Sequence, residues 1–505
     1  MKKLTTLLKI FCSLILFFSV NKVTAQIGIG TVTPNVSSLL DITSTTKGML
    51  TPRMTTVQRD AIVTPADGLI VYDTDFKSFY HYNVATSTWI RIGSDVNGRT
   101  KYKLIKSTDV LATVLATELA AGGGTKYLMD SGTYYEINGT ILFSLSIELN
   151  NCYLVGLDGN DDKVIKTGGG DLFVGSTGGT IKVLTLSVTA GGTLFNILGT
   201  GAVGTNTQSI IIRDCIIASW TSLGKIENFG LVFVNILQYV GNANGITYKD
   251  ITRLLISNAG WFGNNTGTFE KIQGNFSIIT KQGGFSEVNG AAVGFDVSAN
   301  PIITNDAVIE GTVFTGVLTT GKFVNGYTPT LYPGYNFNNS WIVRCAGLPV
   351  ETDAVSTGNL FDPNNTAATT TVATTQNVGY KVVTNATTAT NLFRFDSPTT
   401  GRLTYRGKKT RTFQVSASIS FTEVTGGANT TYVFYFVKIL ADGTTVVALP
   451  ETETYNDTNG GFIQSFPVTG SVVLNKDEGV EVYLKRVNTG ARINVNTYSF
   501  NITVQ

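Results

Sequence analysis

From Phe413 to Phe421 apolar side chains (Phe413, Val415, Ala417, Ile419, Phe421) alternate with Gln414, Ser416, Ser418 and Ser420, and near the C-terminus Tyr498, Phe500, Ile502 and Val504 alternate with Ser499, Asn501, Thr503 and Gln505. A period of two is the pattern of strands with one buried face, so residues 378–505 are expected to form an antiparallel jelly-roll sandwich. One segment departs from it. Tyr432-Val433-Phe434-Tyr435-Phe436-Val437 is apolar on both faces. A two-layer sandwich covers only one face of each sheet, so Tyr432, Phe434, Tyr435 and Phe436 are expected at an oligomer interface, in a homotrimer.

Residues 101–350 repeat a different unit. Short alternating runs such as Ile210 to Ile216 and Phe229 to Phe233 are followed by Gly and Asn turns, and apolar centres at Ile211, Leu231, Ile251, Ile272, Val293 and Val313 are spaced by 20 or 21 residues. Earlier centres at Leu154, Leu172 and Leu194 are less regular. A period near 20 is the signature of a solenoid, in which stacked repeats bury faces that no single repeat can bury. Before it, Asp109 to Ala121 reads as a helix with Asp109 as N-cap and Gly122-Gly123-Gly124 as its stop. Residues 351–377, rich in Thr, Ala and Asn, read as a linker.

Residues 26–100 form a separate small β module. Thr55 or Thr56 caps a short helix containing Gln58, Arg59 and Ile62 that Pro65 stops, and three short strands come after it at Leu69–Tyr72, Ser78–Tyr82 and Thr88–Ile92. The fold class is therefore all-β.

Resemblances accompany these patterns. IGIGT, LDI, KGML, PRMT, QRDAI and GLIVYDTD in residues 26–100 resemble the N-terminal module of bacterial surface proteins and phage tail-fibre-like proteins, which implies attachment or presentation of the rest of the chain. GGGTKYLMDSGTYY and NGTILFSLSIEL resemble the opening of pectate-lyase-like, right-handed parallel β-helices, phage tailspikes among them, and imply that the helix plugs the coil's end. GRLTYRGKKTRTFQVSASISF and VVLNKDEGVEVYLKR are similar to the C-terminal jelly-roll heads of the complement C1q and tumour-necrosis-factor type.

Residues 1–25 read as a signal peptide. Lys2, Lys3 and Lys9 precede an apolar stretch from Ile10 to Val20 that is too short to span a bilayer, and Val23-Thr24-Ala25 sets cleavage before Gln26. The expected location is extracellular, secreted or on a cell surface, with no membrane insertion. Removal leaves 33 basic side chains against 35 acidic ones, which disfavours nucleic acid as a partner. The remaining cysteines, Cys152, Cys215 and Cys345, are odd in number. Cys152 and Cys215, about three coil steps apart on this register, are expected to be unpaired core thiols.

The chemistry to be found is sparse. His81 is the single histidine, which removes Ser-His-Asp, Cys-His and histidine-zinc arrangements from the coil. Candidate catalytic groups are the carboxylates Asp214 and Asp250, with Arg213 and Arg253 near them, on the pattern of β-helix lyases and glycosidases. Asp158, Asp161 and Asp162 are candidates for a structural Ca2+. Trp220, Trp261 and Tyr248, with Tyr239 and Phe262, are candidates for stacking on sugar rings. Together these patterns point to a fibre for adhesion or glycan recognition, with a surface polysaccharide as partner. The rival readings are a polysaccharide lyase or glycoside hydrolase on the same shaft, and a purely structural surface or tail component.

Overall fold

The structure, a computed structural model, describes residues 4–11, 26–93, 100–364, 368–423, 430–458, 461–488 and 493–505. The apolar stretch beyond Phe11 and the cleavage site at Val23 to Ala25 lie outside them. The chain divides into two compact units, Met1–Thr100 and Lys101–Gln505.

In the first unit Thr55 caps the helix Thr56–Asp60 with a reciprocal capping box: the Gln58 amide donates to Oγ1 of Thr55, and the Thr55 amide donates to the Gln58 side chain. The helix ends before Ile62, which the sequence places inside it. Strands Ile70–Asp73, Ser78–Asn83 and Thr88–Ile92 form the expected antiparallel meander, and Arg53–Met54 adds a parallel edge. Arg59 lies 4.1 Å from the Tyr80 ring centroid and 2.9 Å from the Asp73 carboxylate.

Residues 101–346 wind into a parallel β-helix of three faces. The first face stacks Tyr102–Lys106, Tyr134–Asn138, Tyr153–Val155, Gly179–Lys182, residues 209–213, 231–235, 253–257, 278–282 and 307–310, and Trp341–Ala346. The second carries residues 215–218, 237–240 and 259–261, and the third residues 222–227, 246–249 and 268–273. The true coil length exceeds the sequence period. Ile211 pairs with Phe233 and Phe233 with Leu255, steps of 22 residues, and Ile279 pairs with Ala307, a step of 28. Where every second residue is apolar, a register slipped by two still matches apolar to apolar, so spacing alone reads 20 as readily as 22.

The lumen is filled by columns such as Ile181, Ile212, Val234 and Ile256. Cys152 and Cys215 are buried in it and free, two coil steps apart rather than three and on different faces; Cys345 is free and half-buried. Burial pushes the first two thiols up to about 12 and the third up to about 11.

The helix before the coil is two pieces, Leu111–Val114 and Ala116–Ala121, broken at Leu115. Asp109 is not its cap; Val110 occupies that position, and the Asp109 carboxylate accepts from the Lys106 amide at 2.8 Å. Leu115 enters the lumen core, and Glu118 accepts from Lys103 at 2.5 Å and from the Tyr135 hydroxyl at 2.7 Å.

The sandwich has two antiparallel sheets, one built on Arg411–Glu423, Gln464–Leu474 and Asn494–Val504, the other on Thr431–Ile439 and Gly479–Arg486. The stretch read as a linker, residues 351–377, instead supplies strands Thr357–Phe361 and Thr369–Val372, both paired with Asn494–Val504. Its threonines suit half-covered strands, which need no run of large apolar side chains. Where coil meets sandwich, buried Arg394 pairs with Asp353 and donates to the Trp341 and Glu351 carbonyls, while the Asp353 carboxylate also accepts the Lys408 and Lys409 amides.

Tyr432, Phe434 and Phe436 point between the sheets into the sandwich core and form no outer surface. Val433, Tyr435, Val437 and Ile439 make the other face, and the chain itself covers them. Tyr435 is 6% exposed; Gly379 sits against its hydroxyl, Lys485 lies 5.5 Å from its ring and is tied to Glu453 at 2.5 Å, and Tyr483 flanks it. The exposed aromatic face expected of a lone sandwich is absent, because residues distant in sequence fold over it.

Candidate functional site

The corners of the coil decide what Asp214 and Asp250 do. Turning from one face to the next requires a residue with positive φ, and the corner between the first and second faces stacks Val183, Asp214, Ile236, Asn258, Gly283 and Gly311, all with φ between 51° and 68°. The corner between the third and first faces stacks Asn228, Asp250 and Gly274, with φ of 60°, 52° and 76°. Asp and Asn tolerate this conformation better than other side-chain-bearing residues. The two carboxylates therefore stand at different corners and are not brought together. Asp214 pairs with its neighbour Arg213 at 2.9 Å, and Asp250, largely buried, accepts from the Asn275 amide at 2.8 Å and its side chain at 3.0 Å. Arg253 projects from the exposed side of the first face, away from both corners' hydrogen bonds.

The aromatic candidates lie inside. Trp220, Trp261 and Tyr248 are lumen residues, with Trp261 stacked on Phe269 at 4.5 Å and the Trp220 indole donating to the Leu186 carbonyl at 3.1 Å. Tyr239 joins them, whereas Phe262 is partly exposed against Phe285. They fill the coil and offer no sugar platform.

Asp158, Asp161 and Asp162 form a backbone-capping turn. Asp162 accepts the Gly139 amide at 2.7 Å on Oδ1 and the Leu157 and Asp158 amides at 2.7 and 3.0 Å on Oδ2, and Asp158 accepts the Asn160 amide at 2.8 Å. These bonds outweigh burial and hold the Asp162 carboxyl low. Among the described residues no group of three or more His, Cys, Asp or Glu side chains could hold a metal.

What the sequence reading missed is the third face. Its outward column runs Asn196, Lys225, Thr247, Lys271, Asp296, Asn325, with Glu227, Lys249 and Gln273 beside it. From Asn196 and Glu227 onward every member is polar, while Val174 precedes Asn196 and the exposed Leu198 precedes Glu227. Glu227 sits between two lysines, paired with Lys225 and with Lys249 at 2.7 Å. Burial opposes its ionisation, but the bonds from both lysines outweigh it and hold the carboxyl below its usual range. Lys271 approaches Asp296 at 4.0 Å, and Asn325 donates to Asp296 at 3.3 Å. The result is a rigid row of donors and acceptors on neighbouring strands, fixed by ion pairs. The signal for it was the recurrence of charged residues at one coil length, Glu227 to Lys249, visible only in the correct register. The acids whose carboxyls burial pushes up, Glu270 and Glu351, are both buried.

Residues 28–106 match the family model of the phage tail-like trimerisation region. No curated protein matches the chain. Among solved structures, the tailspike protein of Acinetobacter phage vB_ApiP_P1 is 10% identical over 91% of this chain and 99% of its own, with a TM-score of 0.34. The phiAB6 tailspike, solved with oligosaccharides of the Acinetobacter baumannii surface polysaccharide, is 10% identical over 88% of this chain and 100% of its own, with a TM-score of 0.21. Eiger TNF from S. frugiperda is 12% identical over 29% of this chain and 90% of its own, with a TM-score of 0.21. The fold itself stands on the strand pairing of the coil and the sandwich. Among the described residues no helix is long and apolar enough to cross a membrane.

Proposed function

We propose that the protein is a homotrimeric, fibre-like glycan-recognition protein displayed outside a cell or on a virion, which binds a surface polysaccharide along the third face of its coil. The carrying observation is that polar face: Lys225, Glu227, Lys249 and Lys271 project from neighbouring strands, about 4.8 Å apart, and their ion pairs with one another and with buried Asp296 leave little side-chain freedom to lose on binding. Trimer formation is supported by the match of residues 28–106 to a trimerisation region. It is supported too by the first unit itself. Val71 and Tyr80 are the buried apolar side chains among its described residues, while Ile27, Ile29, Leu39, Val57, Phe76 and Phe79 stay exposed. Such a unit needs copies of itself to complete a core.

A glycan array probed with the full chain tests the reading. Binding to at least one surface polysaccharide, weakened at least tenfold by the double variant Lys249→Ala, Lys271→Ala, is expected. No binding to any glycan defeats it in favour of a structural component. Release of reducing ends or unsaturated products, abolished by Asp250→Asn, defeats it in favour of an enzyme.

A further inference from the structure

We infer that three copies of the coil pack against one another along the first face, which gives the proposed trimer its seam and rests on that reading. One outward column of this face runs without interruption through ten strands: Tyr102, Tyr134, Tyr153, Thr180, Ile211, Phe233, Leu255, Thr280, Val308 and Ile342. Eight of the ten are apolar or aromatic, and all are at least partly exposed on the single chain. Tyr102 and Tyr134 stack at 6.1 Å, and in the adjoining column Leu231 and Ile278 flank the exposed Arg253. The other faces differ. On the third face the outward columns are polar from Asn196 and Glu227 onward, with Val174 and Leu198 before them, and on the second Ile216 and Phe285 are separated by Gln238 and Gly260, so neither carries an unbroken apolar column.

At about 4.8 Å per strand the seam is roughly 43 Å long and covers on the order of 400 Å², the size of the largest patch a monomer leaves exposed and one that commonly serves an interaction. A polysaccharide would find no charged side chain in the column and hydroxyls at only five of its ten positions. Identical copies suit it better, because a straight column parallel to the coil axis meets its own symmetry mates at every level. The trimerisation match supplies continuity: it extends through residue 106 and so takes in Tyr102–Lys106, the first strand of this very face.

The test is self-crosslinking of the full chain. In a Cys12→Ser, Cys345→Ser background, Thr280→Cys lies on the column and Thr247→Cys on the third face; Cys152 and Cys215 are buried and stay silent. With a short bismaleimide, Thr280→Cys is expected to give linked dimers in most of the protein and Thr247→Cys to stay monomeric on a denaturing gel. If light scattering reports a trimer but Thr280→Cys links no better than Thr247→Cys, the first face is not the seam and the trimer stands. If light scattering reports a monomer, both readings fall.

Discussion

Inside the coil the Lys281 ammonium lies 2.9 Å from Oε2 of Glu270, and each side chain is 1% exposed. Each interrupts an apolar column: Glu270 follows Ile246 and precedes Phe295, and Lys281 follows Ile256 and precedes Ile309. Burial pushes the Glu270 carboxyl up while Lys281 opposes it. Such a pair is worth little against apolar residues of equal volume, but breaking it strands a charge.

Lys281→Met alone should therefore cost about 3–5 kcal/mol, and Glu270→Leu added to it should recover most of the loss. Without the lysine, burial alone governs Glu270, whose folded pKa stays raised. The single variant's stability should then be best below the ordinary carboxylate value near 4.3 and fall as pH rises through the folded value. Urea unfolding followed by tryptophan fluorescence between pH 4 and about 9 would show it. A single variant as stable as the parent removes the argument.

Ile236 holds φ of 53° at a corner where Asp214 and Asn258 stand directly on either side of it, and it is 46% exposed. A β-branched residue is strained there, and little burial is lost on replacing it. Ile236→Asn should stabilise the coil by about 1 kcal/mol, seen as a higher melting temperature; an unchanged or lower one would show that the corner is not strained.

Asp442 accepts the Thr445 hydroxyl and the Thr445 and Thr444 amides, at 2.8 and 2.9 Å, and these bonds hold its carboxyl down from 3.8 to about 2. Because the folded value lies below the unfolded one, the contribution is complete above about 4 and lost as pH falls through about 2. Amide exchange at Thr444 and Thr445 should stay slow at pH 4 and speed up towards pH 2. A carboxyl that titrates near 3.8 by NMR would contradict this.

Thiol labelling separates the cysteines. In the folded protein at pH 8, iodoacetamide should modify Cys345 slowly and leave Cys152 and Cys215 untouched, since burial both shields them and keeps them protonated. Labelling of Cys215 at the rate of Cys345 would mean that the lumen opens.

Alternation made the strands legible from Phe413 to Phe421 and the stacked architecture legible in the coil, because in-or-out placement is local. Which face a strand joins is not local. It depends on corners set by single residues such as Asp214 and Asp250, whose letters suit catalysis and a left-handed turn equally. The same limit hid the third face, since Glu227 and Lys249 become neighbours only once a 22-residue step is known. It also hid the cover over Tyr435, since Gly379 and Glu453 lie in separate segments on either side of it. The acidic turn at Asp158 to Asp162 was readable as a turn, but its acceptance of the distant Gly139 amide was not.

Thr357–Phe361, which comes directly after the coil, takes its partner from Asn494–Val504, synthesised far later. Asn494–Val504 is the one strand that joins Thr357–Phe361 to Arg411–Glu423 among the described residues of this sheet. Asn494–Val504 thus acts as the keystone of that sheet, and its removal would leave Thr357–Phe361 and Arg411–Glu423 with open edges able to pair with other chains.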